Sequence, residues 1–98
     1  MSNSYDIGDL ITVKAVFRDR NSELADPTTV TLKIKKSDGV ISTYVYPSVP
    51  VEKDSTGIYH ADIDTTAGPG GVWVYRWTGV GVAQAAEERE FVVRTSLV

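Results

Sequence analysis

The fold class of this chain is indicated most clearly by one stretch, Gly71-Val72-Trp73-Val74-Tyr75-Arg76-Trp77-Thr78-Gly79. Its three large aromatic side chains occur at every second position, at Trp73, Tyr75 and Trp77. In an extended strand all three project from one face, whereas in a helix they would scatter around the axis. The opposite face carries two valines and an arginine and is the poorer one to bury. The stretch therefore predicts a core strand of a β-sheet, with Trp73, at the strand entrance, as the most exposed of the three aromatic residues.

Alternation of apolar and polar residues predicts further strands on both sides of this one. They cover residues 11–17, 29–35, 40–46, 58–64 and 88–95. The segment that Pro47 and Pro50 bracket either switches between sheets or forms a short edge strand at 49–52. Short strands with turn signals every ~8–12 residues are typical of immunoglobulin-like sandwiches. We therefore predict an all-β chain, an immunoglobulin-like or fibronectin-III-like antiparallel β-sandwich of about seven strands. The expected core residues are Phe17, Leu32, Tyr59, Trp73, Tyr75, Trp77 and Phe91.

Length and composition restrict the function classes. Ninety-eight residues make one domain, which we place at residues 9–95, between a polar arm at 1–8 and a short tail at 96–98. The arm lacks the basic start and apolar core of a signal peptide, and no apolar run is long enough to cross a bilayer. The net charge of −3 argues against nucleic acid as a partner. The absence of cysteine fits a protein assembled in a reducing cytoplasm.

No residue pattern predicts catalysis or metal binding. His60 is the only histidine, and the alternation places it on the outer face of a strand without a nucleophile beside it. Asp62 and Asp64 share a strand face but supply too few oxygen ligands for calcium. The glutamates of residues 87–90 would need a cleft to act as an acid–base pair. The sequence therefore predicts no catalytic, cofactor-binding or metal-ligating residue and no enzyme activity.

Three surface features admit two interpretations each. Lys14, Arg18, Lys33 and Lys35 form either a basic stripe that docks an acidic partner or a charged face that prevents edge pairing. The apolar connection 80–86 and the last two residues either contact another protein or fold back over the sandwich. The aromatic strand is either core or a platform for sugar rings. The candidate protein-contact residues are Tyr5, Val80, Val82, Ala83, Leu97 and Val98.

Motifs along most of the chain resemble a known group of proteins. They are Tyr5-Asp6-x-Gly8-Asp9, Asp26-Pro27-Thr28-Thr29-Val30-Thr31-Leu32, Asp54-Ser55-Thr56-Gly57-Ile58-Tyr59-His60-Ala61-Asp62-Ile63-Asp64, Gly71-x-Trp73-x-Tyr75-Arg76-Trp77-x-Gly79 and Ala85-Ala86-Glu87-x-x-x-Phe91-x-Val93. The series resembles the small immunoglobulin-like proteins encoded among the structural genes of tailed bacteriophages and prophages. Its Asp54-x-x-Gly57-x-Tyr59 part also resembles the tyrosine-corner region of immunoglobulin-like domains, with one residue more between Asp and Tyr.

The resemblance implies a non-enzymatic virion protein, a capsid decoration protein or a head–tail or tail component. Such a protein binds other virion proteins, needs no cofactor, and reaches the virion after assembly in the host bacterial cytoplasm. A homo-oligomer on the particle is compatible with this hypothesis. The alternative is a carbohydrate- or cell-surface-binding β-sandwich module that stacks sugars on Trp73 or Trp77. The two hypotheses differ in whether these tryptophans are exposed.

Overall fold

The computed structural model describes residues 3–83 and 85–95, which form strands and connecting turns and contain no helix. Within these residues no helical segment exists that has the length and apolarity to cross a membrane. The strands are β1 (Asn3–Asp6), β2 (Leu10–Val16), β3 (Thr29–Lys35), β4 (Ile41–Val45), β5 (Val51–Ser55), β6 (Ile58–Asp64), β7 (Gly71–Val80) and β8 (Ala85–Arg94). The prediction of an all-β chain is confirmed.

The strands form two sheets. The larger sheet has five strands in the order β1-β8-β7-β3-β4, and the smaller has three in the order β2-β6-β5. All neighbouring strands are antiparallel except β1 and β8, which run parallel. Apolar residues alternate with exposed ones in β2, β3 and β6, so each sheet turns one apolar face to the core. The architecture is compatible with a β-sandwich.

Strand β1 lies where the sequence predicts a flexible or docking arm. It pairs with β8 from Asn3 opposite Phe91 to Asp6 opposite Arg94. The ring of Tyr5 packs edge-on against Phe91, with ring centroids 5.8 Å apart, and stabilises the strand from the core side. The arm prediction is therefore wrong for residues 3–6, because four mostly polar residues carry too little alternation to be recognised as a strand. Residues 1–2 and 96–98 lie outside the described residues.

Two further strands differ from their predicted bounds. β8 begins at Ala85, three residues before the predicted start at 88, because Ala85 pairs with Gly79 across the β7–β8 hairpin. β5 covers Val51–Ser55, whereas the sequence predicts a strand at 49–52 only. Its charged residues resemble a turn, but they lie on an edge strand with a register shift between Lys53 and Ser55. In both segments, hydrogen bonding to a neighbouring strand sets bounds that the hydrophobic pattern does not show.

The predicted core is buried with one exception. Phe17, Leu32, Tyr59, Trp73, Trp77 and Phe91 are buried, whereas Tyr75 is only half-buried. The expectation that Trp73 is the most exposed of the three aromatic residues of β7 is wrong, since Trp73 and Trp77 are each 1% exposed. Trp73 packs against Phe91 and donates its indole N–H to the carbonyl of Pro69 at 2.9 Å. Tyr75 is more exposed because it lines a cleft between β2 and β8.

Candidate functional site

The connections β2–β3 and β7–β8 meet at one end of the molecule. Thr29, the first residue of β3, lies opposite Val80, the last residue of β7. The N–H of Thr28 also donates to the carbonyl of Val80 at 2.7 Å. We call residues 17–28 and 80–83 the loop end. Loops held by a rigid scaffold are the usual place for recognition, so this end is the first candidate site.

The β2–β3 connection is ordered by its own hydrogen bonds. The carboxylate of Asp19 accepts the N–H groups of Asn21 at 2.8 Å and Glu23 at 3.1 Å. The guanidinium of Arg18 donates to the carbonyl of Ser22 at 2.9 Å, and Ser22 has a φ of 65°. Side-chain oxygens that cap nearby N–H groups hold a turn in one conformation. The backbone of the β2–β3 connection is therefore already ordered before a partner binds.

Asp26 fastens the loop end to the β5–β6 hairpin. One carboxylate oxygen accepts the N–H of Gly57 at 2.8 Å and the hydroxyl of Tyr59 at 3.2 Å, and the other accepts the ammonium of Lys53 at 2.6 Å. The hydrogen bond from Lys53, and then that from Gly57, lowers the pKa of Asp26. Burial, and then the hydrogen bond to Asp26, raises the pKa of Tyr59 to about 12. These contacts favour a charged Asp26 beside a neutral Tyr59.

Three aliphatic side chains are exposed at the loop end. Leu24 is 40% exposed, Val80 45% and Val82 74%. Val80 and Val82 are predicted contact residues and lie together here. Leu24 is not among the predicted contact residues, although a single leucine in an otherwise polar loop is the signal that marks it. Ala83, also predicted as a contact residue, is 0% exposed, because the hairpin turns its small side chain into the core.

Tyr5, another predicted contact residue, does not join this surface. Tyr5 is half-buried against Phe91 and lies opposite Val93, toward the other end of β8. Its ring serves the core in the described structure. Leu97 and Val98 lie outside the described residues. Of the predicted contact residues that the structure describes, Val80 and Val82 are exposed at the loop end, and the structure adds Leu24 there.

The four basic residues predicted as a stripe are separated. Lys14 lies on β2 of the three-stranded sheet, whereas Lys33 and Lys35 lie on β3 of the five-stranded sheet. All three point away from the core, so the two sheets direct them to opposite sides of the molecule. Arg18 belongs to the loop end. A stripe does not form, because consecutive strands of the chain belong to different sheets.

His60 lies between two carboxylates on the outer face of the small sheet. Its Nδ1 is 2.6 Å from Asp54 Oδ1 and its Nε2 is 3.1 Å from Glu52 Oε2. The side chain is 20% exposed, so His60 is more enclosed than the sequence predicts. Within residues 3–83 and 85–95, the ring is paired with these carboxylates and is hydrogen-bonded to no Ser or Thr hydroxyl. The arrangement ties β5 to β6 and provides no activated nucleophile.

No described group of three or more His, Cys, Asp or Glu side chains is arranged to hold a metal ion. Asp62, one of the two candidate calcium ligands, instead accepts the hydroxyl of Thr12 at 2.6 Å. Asp64 accepts the N–H of Thr66 at 2.8 Å, and the hydrogen bonds from Thr66 lower its pKa. Both carboxylates therefore serve local structure at the surface.

A cleft of about 570 Å³ lies on one flank of the sandwich, between β2 and the strands β1, β7 and β8. Consecutive residues 11–14 of β2 form one wall, and Tyr75 and Phe91 form part of the other. Neither tryptophan lines this cleft, and each is 1% exposed, although Trp73 lies at the wall of a smaller pocket beside Lys36. A sugar ring therefore has no exposed indole to stack on among the described residues.

Comparison of the chain with protein-family models, with curated proteins and with solved structures gave no significant match.

Proposed function

We propose that this chain is a non-enzymatic structural or accessory component of a tailed-bacteriophage virion, with an immunoglobulin-like fold. It binds another virion protein through the loop end. The observation that carries the proposal is the exposure of Leu24, Val80 and Val82 at one end of the molecule, where hydrogen bonds of Asp19 and Asp26 order the β2–β3 connection.

The strand order supports the immunoglobulin-like part of the proposal. In immunoglobulin domains strands B, E and D share one sheet, and strands G, F and C share the other, which C′ extends in variable-type domains. The orders β2-β6-β5 and β8-β7-β3-β4 match these two sets when β2 is strand B and β8 is strand G. β1 adds a parallel strand beside β8.

A corner hydrogen bond supports the same assignment, but at a different residue from the one that the resemblance implies. In a tyrosine corner the hydroxyl of a residue near the start of strand F binds the backbone a few residues upstream. Trp73, near the start of β7, donates its N–H to the carbonyl of Pro69, four residues upstream. Tyr59 lies on β6 and donates its hydroxyl to the carboxylate of Asp26. The tyrosine-corner expectation for Tyr59 is therefore wrong.

Exposed apolar area and a rigid backbone both favour binding at the loop end. Covering exposed aliphatic surface contributes about 25 cal/mol per Å². The hydrogen bonds of Asp19 and Asp26 fix the loop before binding, so association loses less conformational entropy. A protein surface with a complementary apolar pocket is the partner that such a group fits.

Mass spectrometry of purified particles tests the virion assignment. The proposal expects this chain among the virion proteins in a fixed copy number per particle. If washed particles from productive infections lack it, the virion assignment is wrong.

A pair of variants tests the loop end. Val82→Asp puts a charge on the most exposed apolar residue of the loop end, and Val40→Asp puts one on a residue that is 55% exposed at the opposite end. Both variants are expected to melt like the unmodified protein, since both sites face solvent. Addition to particles that lack the protein should fail for Val82→Asp only. Equal binding by both variants would exclude the loop end as the contact surface.

A further inference from the structure

Strand β2 forms an open edge of the three-stranded sheet. The N–H of Phe17 donates to the carbonyl of Gly57 and that of Thr65 to the carbonyl of Asp9, and both pairs continue the β2–β6 register. In an antiparallel ladder, hydrogen-bonded pairs alternate with pairs whose backbone groups point away. Odd-numbered residues of β2 therefore bond to β6. The even-numbered residues Leu10, Thr12, Lys14 and Val16 direct their N–H and C=O groups away from the sheet.

The other described edges carry features that discourage pairing, whereas β2 has almost none. β5 has a register shift and a run of charged residues, β4 has five residues followed by Pro47, and β1 has four residues. β2 has seven residues, with no glycine, proline or bulge and only Lys14 as a charge. The flank cleft reaches residues 11–14 of β2, so solvent has access to this edge. Long, regular, unprotected edges are the ones that pair with other strands.

We propose that β2 pairs with β2 of a second copy of this chain, antiparallel across a two-fold axis centred on Val13. The two three-stranded sheets then become one sheet of six strands. In this register the outward backbone groups of Thr12 face those of Lys14 of the second copy, and those of Leu10 face those of Val16. The inference goes beyond the proposed virion function and does not depend on it.

Apolar complementarity supports this register. Leu10 is 65% exposed and Val16 is 51% exposed on the outer face of the small sheet. Two-fold pairing lays each Leu10 against Val16 of the other copy, next to Ile58, which neighbours Val16 on β6. Directly opposed aliphatic residues on one sheet face stabilise strand pairing. The symmetry repeats the contact at both ends of the interface.

Charge complementarity supports the same register. Thr12 neighbours Asp62 on β6 and donates its hydroxyl to that carboxylate. Lys14 of the second copy would lie on the far side of Thr12. Its backbone would then be two strand spacings, or about 10 Å, from the backbone of Asp62. The long lysine side chain spans this distance toward the carboxylate. A register centred on residue 14 would instead oppose the two Lys14 side chains, which is unfavourable.

Sedimentation of the full chain over a concentration series tests the pairing. The unmodified protein is expected to pass from monomer to dimer. Lys14→Pro removes one outward N–H and should give a monomer with the circular dichroism of a folded β protein. Thr43→Pro is the matched control on the edge strand β4. Because Tyr46 N–H donates to the carbonyl of Val30, even-numbered residues of this strand bond to β3, and the N–H of Thr43 points outward as that of Lys14 does. This control should still dimerise.

Charge reversal provides a second test that keeps the backbone unchanged. Lys14→Glu faces Asp62 with a like charge and should weaken dimerisation by about tenfold. Adding Asp62→Lys to this variant should restore the dimer. The proposal is overturned if the unmodified protein stays monomeric up to its solubility limit. It is equally overturned if the dimer persists unchanged in both Lys14 variants.

Discussion

Strands β7 and β2 share an extended backbone but differ in their hydrogen bonding and in the burial of their side chains. β7 has ten residues, is hydrogen-bonded to β3 on one side and β8 on the other, and buries two tryptophans. β2 has seven residues, is hydrogen-bonded on one side, and shows exposed aliphatic residues at both ends. Stability is therefore concentrated in the central strand, whereas the surfaces open to new contacts are the β2 edge and the loop end.

The largest effect is expected from Trp77→Ala in β7. Trp77 is 1% exposed, and truncation of a buried aromatic residue costs about 3–5 kcal/mol. Since small domains are stable by only about 5–15 kcal/mol, the variant should lose a large part of its stability. Urea denaturation followed by circular dichroism measures the loss. A variant as stable as the unmodified protein would mean that β7 does not carry the core.

A smaller difference is expected between Trp73→Phe and Trp77→Phe. Trp73 donates its indole N–H to the carbonyl of Pro69, whereas the buried N–H of Trp77 has no hydrogen-bond acceptor among the described residues. Both changes remove similar volume, but only Trp73→Phe also leaves a carbonyl without its donor. We expect it to cost about 1 kcal/mol more in free energy of unfolding. Equal costs by urea denaturation would show that this hydrogen bond adds nothing.

The pH dependence of stability tests the contacts between the loop end and β6. The pKa of Asp26 is lowered from 3.8, so its contribution exists above pH 4 and is lost as the pH falls below that value. The pKa of Tyr59 is raised from 10.0 to about 12, so its contribution exists below pH 10 and is lost as the pH rises from 10 to 12. Thermal melting across pH should show both losses.

Two variants separate these losses. Asp26→Asn should flatten the acid side of the stability profile, and Tyr59→Phe should flatten the alkaline side. If Asp26→Asn left the acid side unchanged, other carboxylates would be responsible for it.

The smallest effect is expected from Thr12→Ala on the outer face of β2. Its hydroxyl is exposed and bonds only to the exposed Asp62, so we expect a change within about 0.5 kcal/mol. Melting of a dilute sample measures the change without a contribution from association. A loss comparable to that of a β7 variant would contradict the contrast between the two strands.

The sequence predicts the central strands well, because burial on one face produces a period of two. The predicted bounds agree for β3 and β6 and differ by one residue for β7. It fails for β1 and for the start of β8, which are held by neighbours that a linear pattern does not display. Local alternation encodes which residues point inward but not which strand lies alongside.

In the candidate site, too, local sequence patterns predict some features, whereas others depend on contacts between distant parts of the chain. The sequence shows Val80 and Val82 as part of an apolar stretch between two strands. It does not show that Ala83 is buried, because this depends on how the β7–β8 hairpin turns that side chain into the core. Separation of Lys14 from Lys33 depends on sheet membership, which the spacing of charges does not encode. The hydrogen bonds of Asp26 join three segments distant in the chain, so no local motif predicts them.

Burial of both tryptophans in one strand has a spectroscopic consequence. The chain has two tryptophans, each 1% exposed, so its intrinsic emission reports the environment of the core. A partner that docks on the loop end or along β2 leaves both indoles in place and should be optically silent. A red shift on mixing would instead signal opening of the sandwich. The same emission is therefore a built-in internal control that separates binding from unfolding in every titration of this protein.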